Sequence, residues 1–454
     1  MTGVRRDRLT LTLYGSFVTW GWFLYGFGPA VPLLAAEQGT SRALAGLHGT
    51  GMAVGTVLAG TVTSSVAVRF GRRVQMLVGA GFLLVGVTAL LLGTAPWQTI
   101  GAVVVAAIGG NFLLSAAQPA LMRHHGSAGA AVVTEANATG SGVGVLAPLV
   151  VGVAVAAGLT WRPAVGLVLL LAVALAVAVS RLPGTGALGR GNPTRRREPA
   201  PPTAPTLATG ELLAVDPAHP GGAATARGEN GATSADATAG AAGEASGTDP
   251  APAAGAARRR GPGFGGTFWF FWVAMLAGVA IEFSTTFWAA DLVVSRTGAG
   301  PSVATATVSA LVAGMTVARL ILGPLALRKA PEKLLLVAYA VAAAGFALLW
   351  TATTPTMAVI GFVVAGLGYG AHYPLAVSLV LRHAADRPDQ AQATATVGTG
   401  FAVGLAPFLL GALADAFGSH AAFLLVPALM VLGSGAVALG LRRVQRTSRT
   451  AHPA

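Results

Sequence analysis

The chain has 454 residues, 54% of them hydrophobic and only 10% charged, and contains no cysteine. A soluble domain carries about a quarter charged residues, so this composition excludes an ordinary water-soluble enzyme, and the missing cysteine excludes disulfides, thiolate metal sites and a cysteine nucleophile. The formal charge of +13 would suggest nucleic acid or an acidic surface, but what it means depends on where along the chain the charges fall.

A bilayer-spanning helix needs about 20 mostly apolar residues, and twelve stretches meet that requirement. The first six are Leu9–Ala35, Ala43–Val68, Val74–Thr94, Thr99–Leu121, Ala131–Gly158 and Trp161–Leu182. The first is no cleavable signal peptide, being too long, containing Pro29 and Pro32 and lacking a clean small-residue cleavage site. From 183 to 266 the composition turns to Ala, Gly, Pro and Thr with isolated acids, which predicts a disordered linker carrying Arg195–Arg197 and Arg258–Arg260 near its ends. Six more spans follow: Thr267–Asp291, Ser302–Leu327, Leu334–Thr351, Thr356–Leu381, Ala391–Ala416 and Ala421–Leu441, then a tail over 443–454. The predicted units are therefore a bundle over 1–182, the linker over 183–266, a bundle over 267–442 and the tail.

With a cytoplasmic N-terminus, every one of the 29 basic residues except Arg42, Arg162, Arg296 and Arg319 falls on the cytoplasmic side. That is a strong positive-inside bias. It places both termini and the linker in the cytoplasm, and it accounts for the net charge without nucleic acid. Only two basic residues, Lys329 and Lys333, are lysine, a bias that with the Ala and Gly excess points to a GC-rich bacterial genome. A multi-pass protein of the bacterial inner membrane is expected.

The chain also resembles itself at an offset of 259 residues. Ala147-Pro148 falls on Ala406-Pro407, Gly152 on Gly411, Arg69 on Arg328, Gly55 on Gly314 and Gly109 on Gly368. Two duplicated six-helix halves are predicted, with a substrate site between them near the membrane midplane. Six plus six helices, a long basic-flanked central loop and a basic loop after the second span resemble the major facilitator superfamily of secondary transporters. In that family the loop runs Gly, three residues, Asp, Arg, one residue, Gly, Arg, Arg or Lys. Here Arg69, Gly71, Arg72 and Arg73 match, while Ser64 replaces the glycine and Val68 the acid; in the repeat Arg328 keeps the arginine. The resemblance implies a cytoplasmic gate; without the acid, either Arg69 or Arg72 pairs elsewhere or the inward-closed state is less stable. The fifth span, with Gly140, Gly142, Gly144, Pro148 and Gly152, loosely resembles the family's antiporter motif. Pro407 and Gly411 repeat it in the eleventh span, so bending and close helix packing are a shared cause.

An ionisable group at bilayer depth costs about 2.5–3.5 kcal/mol even on lenient scales. Glu282 lies roughly 22 Å along the seventh span at about 1.5 Å per residue, among Val279, Ile281, Phe283, Ser284 and Thr285. It is a candidate proton-coupling carboxylate, or a structural acid paired with a neighbouring helix. Arg319, in the eighth span, can hold an anionic substrate group, pair across the halves with an acid such as Glu135, or snorkel to the cytoplasmic face. Asp291 and Asp415, near outer span ends, read as solvated charges. Asn111, Ser115 and Gln118 share one face of the fourth span. Tyr369, His372 and Tyr373 precede Pro374 in the tenth, where His372 is a second proton-binding candidate or a hydrogen-bonded structural residue. Trp20, Trp22, Tyr25 and Trp288 are candidate cavity walls, with Tyr25 and Phe287 closing it.

The glycine-rich runs at 140–144 and 366–370 follow no strand, so they imply no dinucleotide. No cofactor or metal site is expected. Three readings remain: a proton-coupled secondary transporter, a passive facilitator, and a receptor or scaffold using the same fold. The expected partners are a small solute, protons and the lipid bilayer, with no nucleic acid and no obligate protein partner. Export of an amphipathic or cationic compound is the leading expectation; uptake or facilitated passage of a sugar or small carboxylate is the alternative.

Overall fold

The computed structural model describes residues 6–190, 263–326, 328–384 and 387–451. The described residues are all-helical, with no strand, and include twelve helices long and apolar enough to cross a membrane. The first half contains α1 (Arg8–Gln38), α2 (Arg42–Phe70), α3 (Arg72–Leu92), α4 (Pro96–His125), α5 (Gly129–Gly144), α6 (Leu146–Ala156) and α7 (Arg162–Ser180). The second contains α8 (Gly266–Thr297), α9 (Pro301–Ala326), α10 (Pro331–Trp350), α11 (Pro355–Arg382), α12 (Pro388–Phe417), α13 (Ser419–Ala422) and α14 (Leu425–Ala451). Together α5 and α6 form the fifth span, and α13 and α14 the twelfth.

Side chains and glycines set the helix ends. Asp7 caps α1 by accepting from Thr10 N at 2.9 Å, and it also binds Thr10 Oγ1 and His124 Nε2. Partial burial pushes the Asp7 carboxyl upward, but these bonds and the facing imidazole outweigh burial and hold it at about 2. Gly39 closes α1 at φ 60°, and Gly71, at φ 90°, makes the sharp link between α2 and α3. The fifth span breaks at Val145, three residues before Pro148. Pro148 has no N–H for the Gly144 carbonyl, and its ring crowds that carbonyl. In α12 the helix runs unbroken through Pro407.

The described residues after α7 carry a 3-10 turn at Gly186–Leu188, where Ala187 and Leu188 are buried and packed against the bundle. Besides these two apolar side chains, Arg72 donates from its backbone N–H to the Gly189 carbonyl at 3.5 Å. Residues 191–262, with both arginine clusters, lie outside the described residues. The expected tail is helical as far as Ala451.

The two halves repeat each other in packing. Within the first, α3 lies on α4 and α7, α2 on α4, and α1 on α5 and α7; within the second, α10 lies on α11 and α14, α9 on α11, and α8 on α12 and α14. The glycine pairs show the same offset at atomic scale. A Cβ on Gly109 would sit 2.6 Å from the Gly79 carbonyl oxygen, and one on Gly368 2.5 Å from that of Ala338, which is 259 residues beyond Gly79. The halves meet through α2 against α12, α6 against α9, and α1 against α8. The first two of these are each other's images under the repeat.

Those meetings close one end of the bundle. Here the terminal face is the end where α1 begins and α14 ends, and the far face is the other. At the far face, Gly46 of α2 lies so close to α12 that a Cβ would be 2.7 Å from Phe408 Cα, and Gly152 of α6 lies against Ser302 and Ala306 of α9. Arg42, at the start of α2, donates from Nε and Nη2 to Asp291 of α8 at 3.0 and 3.4 Å. The backbone N–H groups of Arg42 and Ala43 donate to Asp415 of α12 at 2.9 and 2.8 Å, so a carboxylate from the other half caps α2. Asp291 also accepts from Ser419. The two acids read from sequence as solvated end charges are thus joined to the opposite half.

Candidate functional site

Near the middle of the bundle, where α1 and α5 face α8 and α9, four polar side chains meet. Glu282 of α8 and Arg319 of α9 are 6% and 5% exposed. Arg319 Nη2 lies 3.6 Å from Glu282 Oε1, an ion pair too long to be a hydrogen bond. Arg319 Nη1 donates across the halves to Tyr25 OH at 3.2 Å and Ser141 Oγ at 3.0 Å. Its Nε and Nη2 have no hydrogen-bond partner. Of the sequence alternatives for Arg319, pairing with Glu135 and snorkelling are both set aside. Glu135 instead accepts from Arg6 at 2.7 Å within the first half, and the Arg319 guanidinium is buried.

Helix packing explains why these groups converge. Gly140 lets α5 lie on α1, since a Cβ there would be 2.7 Å from the Phe17 carbonyl oxygen, and Gly144 leaves room for the Tyr25 ring. Tyr25 separates two small cavities. One, of about 20 Å³, is lined by Phe17, Trp20, Gly21, Tyr25, Leu114, Asn137, Gly140 and Ser141. The other, of about 10 Å³, is lined by Leu24, Tyr25, Glu282, Phe283, Thr286 and Phe287. Spaces of this size admit about one water each, so the centre is nearly shut in this conformation.

The other expected site residues lie at varying removes from this cluster. Tyr369 is buried beside it, its hydroxyl 3.3 Å from Thr285 Oγ1. His372 sits inside the second half, stacked on Tyr339 at 4.1 Å, with neither ring nitrogen hydrogen-bonded. Tyr373 is buried on the same helix. Trp22 donates to the Ala164 carbonyl of α7 at 2.9 Å, and Trp288 to the Pro407 carbonyl of α12 at 2.8 Å; both tie helices within one half. Asn111 donates to Thr56 Oγ1 of α2 at 3.0 Å, and Ser115 accepts from Gln75 Nε2 of α3 at 2.8 Å. That face of α4 knits the first half together, while Gln118 is half-buried two turns away.

The basic loop is also internal to the first half. Arg72 Nη1 donates to the Ala187 carbonyl at 3.4 Å, and Arg73 donates to the carbonyls of Val179, at 3.3 Å, and Ser180 at the end of α7. Arg73 thus satisfies carbonyls at the end of α7, and Arg72 one in the 3-10 turn at Gly186–Leu188. Arg69 is exposed, 5.3 Å from the Phe70 ring centroid, and Arg328 is exposed at the end of α9. Gly411 approaches Arg42 as Gly152 approaches Ser302.

Sequence reasoning missed Ser141, Asn137, Phe17 and the latch made by Arg42. A signal for the last was present: Arg42 is one of the few basic residues off the basic side, and two acids end spans on that same side. No group of His or acidic residues among the described residues could hold a metal ion.

No curated protein matches the chain. Solved structures share its fold. The nucleoside transporter NupG superposes with a TM-score of 0.66 at 12% identity, covering 96% of this chain and 98% of its own. The xylose transporter XylE from E. coli, described as partially occluded inward open, gives 0.64 at 11% identity, covering 94% and 95%. A bacterial homolog of the human lysosomal transporter Spinster, described as inward-facing and occupied, gives 0.65 at 14% identity, covering 97% and 98%. The model of the Major Facilitator Superfamily matches residues 11–387 and, separately, 270–454. With twelve spans in two repeated halves and a charged cluster between them, the chain belongs to the Major Facilitator Superfamily of membrane transporters.

Proposed function

We propose that the chain is a secondary active transporter of a small organic solute, working by alternating access and coupled to protons through Glu282 and Arg319. The observation that carries this reading is the buried carboxylate–guanidinium pair between the halves, whose guanidinium also bonds Tyr25 and Ser141 across the interface. At this separation the attraction is about 4–5 kcal/mol for an effective dielectric of about 20. Desolvation costs several kcal/mol per ion. With gain and cost so close, a proton on Glu282 decides whether Arg319 keeps its counter-charge or must find another. That choice acts on the bonds holding the halves together at mid-membrane.

The positive-inside rule makes the terminal face cytoplasmic, in the inner membrane of a bacterium. The far face, sealed by Arg42, Asp291 and Asp415, is then external, and the conformation described is closed to the outside. A cationic substrate at Glu282 has to displace Arg319, so the paired state favours a neutral or anionic solute over a cationic one.

The test is reconstitution of the full chain into liposomes with a pH-sensitive dye inside. Substrate-dependent proton movement that disappears in Glu282→Gln, with binding retained, is expected. Solute flux with no proton movement would point to a facilitator, another coupling ion or non-proton exchange, and would make Glu282 structural.

A further inference from the structure

We infer that the substrate is a small organic carboxylate with an aromatic or flat apolar body, its anionic group held by Arg319; this deepens the transport reading above and rests on it. Around Tyr25, three buried side-chain nitrogens make no hydrogen bond, although Arg319 Nη2 keeps its ion pair with Glu282 at 3.6 Å. They are Arg319 Nε and Nη2, and Nε1 of Trp20, a residue 2% exposed. Trp20 lines the 20 Å³ cavity, and so do both acceptors of the Arg319 bonds, Tyr25 and Ser141.

Unmet buried donors call for a ligand rich in acceptors. A carboxylate brings two oxygens and no N–H, and it can bind a planar guanidinium bidentately. An ammonium brings only more donors. Besides Ser141 and Asn137, the walls are the rings of Phe17, Trp20 and Tyr25 with Leu114, and Gly21 lies close to Gly140. A flat apolar body fits such walls better than a hydroxyl-covered one.

The same geometry fixes how the proton takes part. Glu282 already faces Arg319, so an arriving carboxylate sets two anions against one guanidinium. Protonating Glu282 removes the conflict. Anion and proton therefore each bind better with the other present, and the linkage is reciprocal. The groups facing Glu282 are Arg319 from α9, Tyr25 from α1 and Tyr369 from α11. His372, a turn further along α11, stacks on Tyr339. The charges of α12 and α14 lie towards their ends, with Asp415 joined to Arg42 at the far face and Arg443 over Phe270 at the terminal face. The two species move in one direction, without net charge.

The experiment is ligand affinity by calorimetry and thermal shift on the full chain in detergent, from pH 5.5 to 8. The probes are benzoate, phenylacetate and indole-3-acetate, against benzyl alcohol and benzylamine. At least one carboxylate is expected to bind, and neither benzyl alcohol nor benzylamine. Its affinity falls about tenfold or more in Arg319→Gln and roughly threefold in Trp20→Phe, which keeps a ring but loses the donor. Affinity in the native chain weakens as pH rises, and Glu282→Gln binds tightly at every pH. Should Arg319→Gln fail to fold, Trp20→Phe and the double variant Glu282→Gln/Arg319→Gln carry the test.

Preference for benzylamine, undiminished carboxylate affinity in these variants, or no binding by any of the three carboxylates overturns the assignment. Binding through Arg319 that ignores pH in the native chain keeps the carboxylate and removes the proton coupling. Proton movement driven by benzylamine and lost in Glu282→Gln does the reverse.

Discussion

Removing either charge of the Glu282–Arg319 pair strands the other in a dry interior, which costs more than the pair itself contributes. Arg319→Gln or Glu282→Leu should each lower stability by about 3–5 kcal/mol, whereas the double variant should recover most of that loss. Thermal unfolding of the four proteins in one detergent gives the coupling, and additive losses would show that the two groups do not interact. Both residues stood out in the sequence, because an intramembrane charge is expensive wherever it sits. Their pairing did not, since it depends on the rotation of α8 against α9. The same limit separated Tyr25, which reaches the site, from Trp22, whose indole points to Ala164 of α7. Three residues along a helix correspond to about 300° of rotation, and hydropathy carries no information on which direction is inward.

Helices were legible as spans but not as contacts. Twelve apolar stretches follow from the thickness of hydrocarbon, whereas the ends at Asp7, Gly39 and Ser41 depend on caps that extend the helices beyond the apolar core. The offset of 259 was legible because glycines that admit a neighbouring backbone cannot be replaced freely, so Gly109 and Gly368 kept their places in both halves. The contact of α2 with α12 carries that signature at Gly411, the counterpart of Gly152, but not at Gly46, which falls on Thr305. Gly46 lies 2.7 Å, through a virtual Cβ, from Phe408 Cα and 2.8 Å from the Pro407 carbonyl oxygen. Backbone atoms cannot step aside, so Gly46→Val must part the helices at the far face. The chain has no cysteine, so spin labels at Ala36→Cys with Ala416→Cys, and at Ser65→Cys with Ala393→Cys, report the two faces without background. The first pair should move apart and the second together in Gly46→Val. Gly81→Val, at a position with nothing within 4 Å, should leave both distances as they are. Unchanged distances in Gly46→Val would mean that this contact does not set which face is closed.

At the scale of the molecule, a transporter built from two repeated halves needs each closed face to be stable but not permanently so. At the far face α2–α12 and α6–α9 contacts are related by the repeat, yet the charged latch is not. Arg42 has Pro301 as its counterpart, so only one of the two symmetry-related corners carries Arg42, Asp291 and Asp415. The asymmetry gives the far face a tie that breaks or forms as one unit, on top of apolar contacts that grade with distance. The Arg42 side chain is 40% exposed, so screening limits its contribution to about 1 kcal/mol. Arg42→Ala should then shift the balance between far-face-closed and far-face-open conformations by roughly fivefold towards open. Asp415→Ala, which uncaps α2 as well, should shift it at least as far. The Ala36–Ala416 label pair reads this as a growing long-distance population, and raising salt should reproduce part of the effect in the native chain, because exposed ion pairs are screened. If neither variant changes that population, the apolar helix contacts alone hold the face shut, and the three charges only anchor the ends of α2, α8 and α12.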